Sequence, residues 1–231
     1  MKKHFYIFIF LNLSVLKLFS QNNDTIKAEK YFDPDQIVYE INYDYWLEVP
    51  EEIKLKIFPV SSNIYLMFPL IGTHSHLSLA SGIGFGASNI KTNAYPTDTN
   101  DISFYALIPD SIDYKNNKLT TTYLDIPIEF RFMSNANKRG RSFKVSLGFK
   151  AGVLIGNHTK YHGEDLNGSG NIVKYKNYHV KNLTPYRYGF TARIGYGKFF
   201  INGYYSLTGL FEKNKGQNIT PVSIGLTIIP Y

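Results

Sequence analysis

The chain has 231 residues, a net charge of +7 and no cysteine. This length suits one all-β domain, and the lack of cysteine excludes a disulfide framework, thiol chemistry and a Cys-ligated zinc site. A basic balance raises nucleic acid as a partner, but the chain has no reading helix or RNA-binding strand motif; a surface beside anionic lipid head groups accounts for the charge as simply.

Residues 1–20 read as a secretory signal peptide. Lys2, Lys3 and His4 precede an apolar run from Phe5 to Leu16, and Ser20 is a small residue before Gln21. The run is shorter than the ~20 residues a membrane helix needs, and no later segment is continuously apolar over that length. A membrane location then requires a closed barrel, which like a helix satisfies its own backbone groups in lipid. Residues 21–36 form a polar N-terminal leader, and 37–231 are expected to be the barrel domain.

From residue 37 onward, side chains alternate between apolar and polar, the period of a strand. Strand one runs Ile37 to Leu47, with Ile37, Tyr39, Ile41, Tyr43, Tyr45 and Leu47 on one face. Strand two is about Ser62 to Leu70, followed by a tight turn at Gly72-Thr73-His74-Ser75. Strand three, His76 to about Ile90, carries Ser78, Ala80, Gly82, Gly84, Gly86 and Ser88 on its polar face. Small inward residues leave room for large ones opposite in a narrow barrel. The stretch from Lys91 to Thr120 reads as a long polar connection.

Strand four, about Thr121 to Met133, has Leu124, Ile126, Ile128, Phe130 and Phe132 on one side and Asp125, Pro127, Glu129 and Arg131 on the other. Pro127 removes a ladder hydrogen bond, so a bulge or bend is expected there. Strand five starts at Ser142 and extends toward Tyr161; strand six is about Pro185 to Tyr196. Strand seven is Phe199 to Phe211, and strand eight about Ile219 to Ile229. Connections 2–3, 4–5 and 6–7 are short, while 3–4 and 5–6 are long. Short turns at one end and long loops at the other mark an outer-membrane barrel. The expected fold is therefore an all-β, eight-stranded antiparallel up-and-down transmembrane β-barrel with short periplasmic turns and longer extracellular loops.

Three stretches carry a resemblance: Tyr123-Leu-Asp-Ile-Pro-Ile-Glu-Phe-Arg-Phe132, Phe143-Lys-Val-Ser-Leu-Gly-Phe-Lys-Ala-Gly-Val-Leu-Ile155, and Arg187-Tyr-Gly-Phe-Thr-Ala-Arg-Ile-Gly-Tyr196. Over most of the chain from Ile37 on, the sequence resembles the PorT-like outer-membrane β-barrel family of Bacteroidetes-type bacteria. The resemblance implies a small outer-membrane barrel and says little about activity.

The inward face of strands four to six carries Asp125, Glu129, Arg131, Lys144, Lys150, Arg187 and Arg193. Unpaired buried charges are costly, so these side chains are expected to form a structural charge network inside the barrel. An eight-stranded interior is just wide enough for its side chains, which argues against a diffusion pore.

Two other groups are candidates for sites. His158, His162 and His179 fall in one outer region and read as solvated loop histidines rather than metal ligands. Asp165, Asn167, Ser169 and Asn171 have the first spacings of a calcium loop, but Lys176 stands where a bidentate Glu belongs. That segment reads as an external turn. No serine lies in a G-x-S-x-G context. No catalytic residue, cofactor or metal is expected.

These readings add up to a non-enzymatic integral outer-membrane protein with a structural, assembly- or secretion-related, or surface-interaction role. Its partners are outer-membrane lipid, the barrel-assembly machinery during insertion and proteins of the envelope, with no nucleic acid. Two alternatives stand beside it: a secreted soluble barrel binding an apolar ligand, and a barrel enzyme acting on outer-membrane lipid.

Overall fold

The computed structural model describes residues 37–56, 60–72, 76–178 and 180–230. Residues 1–36, where a signal peptide and leader are expected, residues 57–59, residues 73–75 of the first tight turn, His179 and Tyr231 lie outside the described residues. Among the described residues there are eleven strands and no helix. The strands are β1 (Ile37–Leu47), β2 (Val60–Ile71), β3 (Leu77–Lys91), β4 (Ala94–Thr99), β5 (Ile102–Leu107), β6 (Tyr114–Met133), β7 (Phe143–Glu164), β8 (Ile172–Tyr178), β9 (Tyr186–Tyr196), β10 (Phe199–Ser206) and β11 (Thr220–Ile228).

Eight of these strands close on themselves in the order β1-β2-β3-β6-β7-β9-β10-β11, and β11 returns to β1. Every neighbouring pair is antiparallel. The closing seam is unbroken from Tyr39↔Ile228 to Leu47↔Thr220. The architecture is therefore the eight-stranded up-and-down barrel, with no open edge within the wall.

The alternation expected from sequence sorts residues between outside and inside. In β1, Ile37, Tyr39, Ile41, Tyr43, Tyr45 and Leu47 are exposed, while Val38, Asn42, Asp44 and Trp46 are buried. In β6, Phe130 is 54% exposed and Asp125 is 0% exposed. The outer wall is thus apolar and the interior polar. A soluble barrel with an apolar lining requires the reverse, so that alternative does not describe this molecule. Aromatic side chains mark the turn end of the wall, where Phe143, Tyr196 and Phe199 stand side by side on β7, β9 and β10. Tyr43, Tyr45, Tyr186, Tyr188 and Tyr205 are exposed toward the loop end. This matches a lipid-facing band between two aromatic girdles.

Three details differ from the sequence reading. First, β6 starts at Tyr114 rather than Thr121, so that it projects beyond the apolar band at the loop end together with β7, whose extension past Tyr161 follows the expected course; the two strands have 20 and 22 residues. Second, the long polar connections are structured. β4 and β5 form a hairpin whose two-residue turn, Asn100-Asp101, has φ of 51° and 61°, and β8 pairs with the projecting part of β7. A type I′ turn of this kind matches the twist of a hairpin. Strand seven ends at Ser206 rather than Phe211, and Phe211 joins the cap described below.

Third, Pro127 causes no bulge. Its ladder with β7 runs unbroken from Ile126↔Ala151 to Ile128↔Phe149. On the other side, the β3 ladder passes from Ser81↔Ile128 to Gly84↔Asp125 in constant register, without a Gly82 or Ile83 pair. The missing N–H faces that side, where the Pro127 carbonyl accepts from Ser81 Oγ at 3.0 Å. The register shift in this part of the wall lies instead between Thr122 and Tyr123, opposite Ile155.

The two mouths are closed differently. At the turn end, Val38, Tyr65, Met67, Ala80, Phe200 and Ile229 form an apolar plug. At the loop end, Trp46, Ile53, Ile90, Ala94, Tyr105, Leu119, Leu183, Leu210, Phe211 and Ile219 form a cap. Trp46, Tyr105 and Phe211 are in ring contact, with centroids 5.1 and 6.1 Å apart. The loops that bring them together are themselves bridged, at Leu55↔Thr92, Ser103↔Gly216 and Leu183↔Phe211.

The lipid-facing assignment makes a depth-dependent prediction. Phe130→Arg, within the apolar band, should weaken folding into phospholipid vesicles by about 2–4 kcal/mol, whereas Ile172→Arg, on the exposed β8, should cost no more than about 1 kcal/mol. Urea titration of heat-modifiable gel migration reads both.

Candidate functional site

The interior between plug and cap is the only large concentration of buried charge among the described residues. It holds four carboxylates, Glu40, Asp44, Asp125 and Glu129, and four cations, Arg131, Lys150, Arg187 and Arg193. Equal numbers matter here, because a net charge inside a low-dielectric wall has no solvent to relieve it.

Asp125 is the centre of one cluster. Arg187 grips it through both oxygens, Nε to Oδ1 at 2.9 Å and Nη2 to Oδ2 at 2.5 Å. This is the two-pronged geometry that guanidinium and carboxylate planes favour. The Tyr65 hydroxyl also donates to Oδ2 at 3.3 Å, and the Arg187 guanidinium lies 4.1 Å from the Tyr123 ring centre.

The pair joins β6 to β9 across the intervening β7. Asp125 on β6 is opposite Gly152 on β7, and Gly152 is opposite Arg187 on β9. A Cβ at Gly152 would overlap Asp125 Oδ1, and one at Gly86 would overlap the Arg187 guanidinium. The glycines on alternate inward positions are thus the space through which acid and base meet.

Glu129 centres a second cluster. Arg193 Nη2 donates to its Oε2 at 2.6 Å, and Arg131 Nε donates to the same oxygen at 3.0 Å. Arg193 also reaches Glu40 on β1, with Nη1 3.8 Å from Oε1, while Asn63 donates to Glu40 Oε2 at 2.9 Å. Ala80 and Gly148 are the small residues opposite Glu129.

Lys150 is buried between the clusters, and its ammonium donates to the Tyr65 hydroxyl at 3.2 Å and lies 4.0 Å from the Tyr204 ring centre. Asp44 is satisfied by serines: Ser61 and Ser223 each donate at 2.7 Å, and Ser88 also donates to it. Asp44, Lys150, Arg187, Tyr123 and Tyr204 face a cavity of about 60 Å³ beneath the cap. That volume holds a few waters at ~10–15 Å³ each.

Of the residues singled out from sequence, Asp125 and Arg187 form one pair, and Glu129, Arg131 and Arg193 form one triad. Lys150 sits among tyrosines rather than on a carboxylate. Lys144 stands at the turn end, between Met133 and Gly195, half-buried and well below Asp125. Sequence reasoning left out Glu40 and Asp44, although both share the inward parity of Asn42. Only barrel closure brings β1 across from β6 and β9.

The other two candidates resolve locally. His158 lies between Thr120 and Tyr178, and His162 between Asn116 and Lys174, both on the outer side of β7. No group of three metal-ligating residues occurs among the described residues. The Asp165 carboxylate accepts from the Asn167 backbone and side-chain nitrogens at 3.2 and 3.3 Å and from Ser169 Oγ at 3.2 Å. Gly168 and Gly170 take positive φ, and Lys176 is opposite Lys160 in β8, outside the turn. The carboxylate is thus used to build a turn.

Removing one partner of a buried pair strands the other. Asp125→Ala should destabilise the folded barrel by about 3–5 kcal/mol, and pairing it with Arg187→Met should recover much of that loss. Gly152→Val should mimic the single change by displacing the carboxylate. Denaturant midpoints in detergent micelles measure all three.

No curated protein and no solved structure matches the chain. A family model described as outer membrane protein beta-barrel domain matches residues 60–212, well over half of the chain. Its span takes in the whole β2–β10 wall and both charge clusters apart from Glu40. The chain belongs to the outer membrane protein beta-barrel domain family.

Proposed function

We propose that this protein is a sealed, non-enzymatic barrel of the outer membrane that works through its folded outer end, in an assembly- or secretion-related or surface-interaction role. The observation that carries the reading is the closure of both mouths, by the Val38–Met67–Phe200 plug and the Trp46–Tyr105–Phe211 cap. Between them the charges are matched and the enclosed cavity holds only a few waters. A solute path has no room, and the buried acids and bases are held in ion pairs or by serine and tyrosine hydroxyls.

Export by a signal peptide over residues 1–20, with the mature chain starting at Gln21, belongs to the same reading. So does placement in the PorT-like branch of barrel proteins. Within the stretches that carry that resemblance, Tyr123–Pro127 and Gly148–Gly152 supply Asp125, Lys150 and glycines that give them room. Partners are envelope proteins that meet the long-loop end.

Reconstituted in planar bilayers, the protein should show no conductance steps; discrete channels would overturn the sealed reading. Deleting its gene should leave the lipid profile of the outer membrane unchanged, and altered acyl or head-group composition would favour the enzyme instead. Crosslinking through the loop end in intact cells should capture envelope proteins.

A further inference from the structure

Beyond the apolar band, the outer face of the wall carries a row of lysines. Lys91 of β3 is opposite Lys118 of β6, Lys118 is opposite Lys160 of β7, and Lys160 is opposite Lys176 of β8. Residues directly opposed on neighbouring strands hold their Cβ atoms about 4.5–5.5 Å apart, and like charges there destabilise the sheet. Four in succession is an arrangement a sheet does not gain from by itself.

The row faces lipid rather than lumen. Leu119 and Thr121, which alternate with Lys118, line the interior cavity. Lys91 lies four residues beyond Ala87, Lys118 six beyond Leu124 and Lys160 five beyond Ile155, the last outward apolar residues of their strands. At ~3.3 Å per residue and a tilt near 40°, that is on the order of 10–15 Å above the band. This is the level of lipid head groups and their sugars. Running from strand to strand, the row lies along the membrane surface rather than up toward the loop tips.

Among the described residues, none of the four lysines forms an ion pair with a carboxylate. Lys118 Nζ donates to Asn89 Oδ1 at 2.8 Å, and Lys176 lies 4.5 Å from the Tyr178 ring centre. Burial, then Lys160, Lys91 and Lys176, hold the Lys118 ammonium below its ordinary range. Burial, then Lys176, Lys118 and Lys160, lower the neighbouring His158 in the same way. Lys174, one rung beyond Lys176 and opposite His162, adds a further cation.

We propose that this row binds the phosphate-bearing head group of an outer-leaflet glycolipid. The assignment rests on the long-loop end facing outward. Ammonium groups act as point charges for phosphate, and one phosphate against several of them turns a repulsive row into a neutralised one. Tyr178, exposed beside His158, offers the amphipathic ring suited to that interface.

The test uses the full-length barrel in zwitterionic detergent, with lipid A as probe and its unfolding midpoint as readout. Lipid A should raise the midpoint of the wild-type protein, while enzymatically dephosphorylated lipid A and inorganic phosphate at the same concentration should not. Lys118→Gln combined with Lys160→Gln should weaken lipid A binding about 10–30-fold. It should also leave the lipid-free protein at least as stable as wild type, because the repulsion is gone.

Lys138→Gln combined with Lys213→Gln, at exposed sites elsewhere, should bind as wild type. Equal binding by the Lys118/Lys160 variant, or by dephosphorylated lipid A, overturns the proposal. An equal response to inorganic phosphate overturns the lipid as the source. If the variant does not fold, the comparison of phosphorylated with dephosphorylated lipid on the wild-type protein decides. Conductance through the barrel would refute the sealed-barrel reading without touching this result.

Discussion

The pairing of β1 with β11 is the constraint on which the rest depends. In lipid, every backbone N–H and C=O must find a partner within the protein, and only a wall without edges provides one for each strand. Once Tyr39 is fixed opposite Ile228 and Leu47 opposite Thr220, the parity of each strand is set. A slip of one residue would turn Asp44 and Asn42 to the hydrocarbon and Tyr43 and Tyr45 to the lumen. The seam therefore decides which chemistry faces which solvent.

Closure also creates the interior problem that the charge clusters solve. Eight strands enclose too little space for bulk water, so polar residues turned inward must satisfy each other. The chain meets this with glycine opposite acid: Gly84 and Gly152 flank Asp125, and Ala80 and Gly148 flank Glu129. Arg187 and Arg193 then reach across β7 from β9. The same clusters fasten β6, β9 and β1 through their side chains, at a depth where the outer surface has only lipid to pack against. What results is a cylinder whose long loops and projecting β6–β7–β8 sheet all lie at one end.

Much of this was readable from alternation. The apolar row Leu124 to Phe132, the glycine face of β3 and the eight-strand count all follow from period two, because a strand separates its faces without reference to the rest of the fold. What escaped was non-local. Glu40 and Asp44 were visible as inward residues of β1, but their partners lie far away in sequence and meet only through the seam. The cap was hidden because Trp46, Tyr105 and Phe211 lie far apart in sequence and meet only through the folded loops. The β4–β5 hairpin had a local cue, Asn100-Asp101 between short alternating runs, that the polar composition of its surroundings masked. The lysine row was invisible for a different reason: Lys91, Lys118, Lys160 and Lys176 become neighbours only when four registers are known. Pro127 shows the limit of a residue rule, since a missing donor disturbs only the ladder its nitrogen faces.

The wall turns its apolar side chains outward and its charges inward. Because the chain has no cysteine of its own, single cysteines can be placed at successive positions from Leu124 to Phe132 and spin-labelled in phospholipid vesicles. Collisions with oxygen, which partitions into hydrocarbon, should rise and fall with a period of two, high at positions 124, 126, 128, 130 and 132 and low between them. Collisions with a water-soluble relaxation agent should stay low at all nine. Oxygen access without that alternation, or ready access of the water-soluble agent to the odd-numbered positions, would contradict the account.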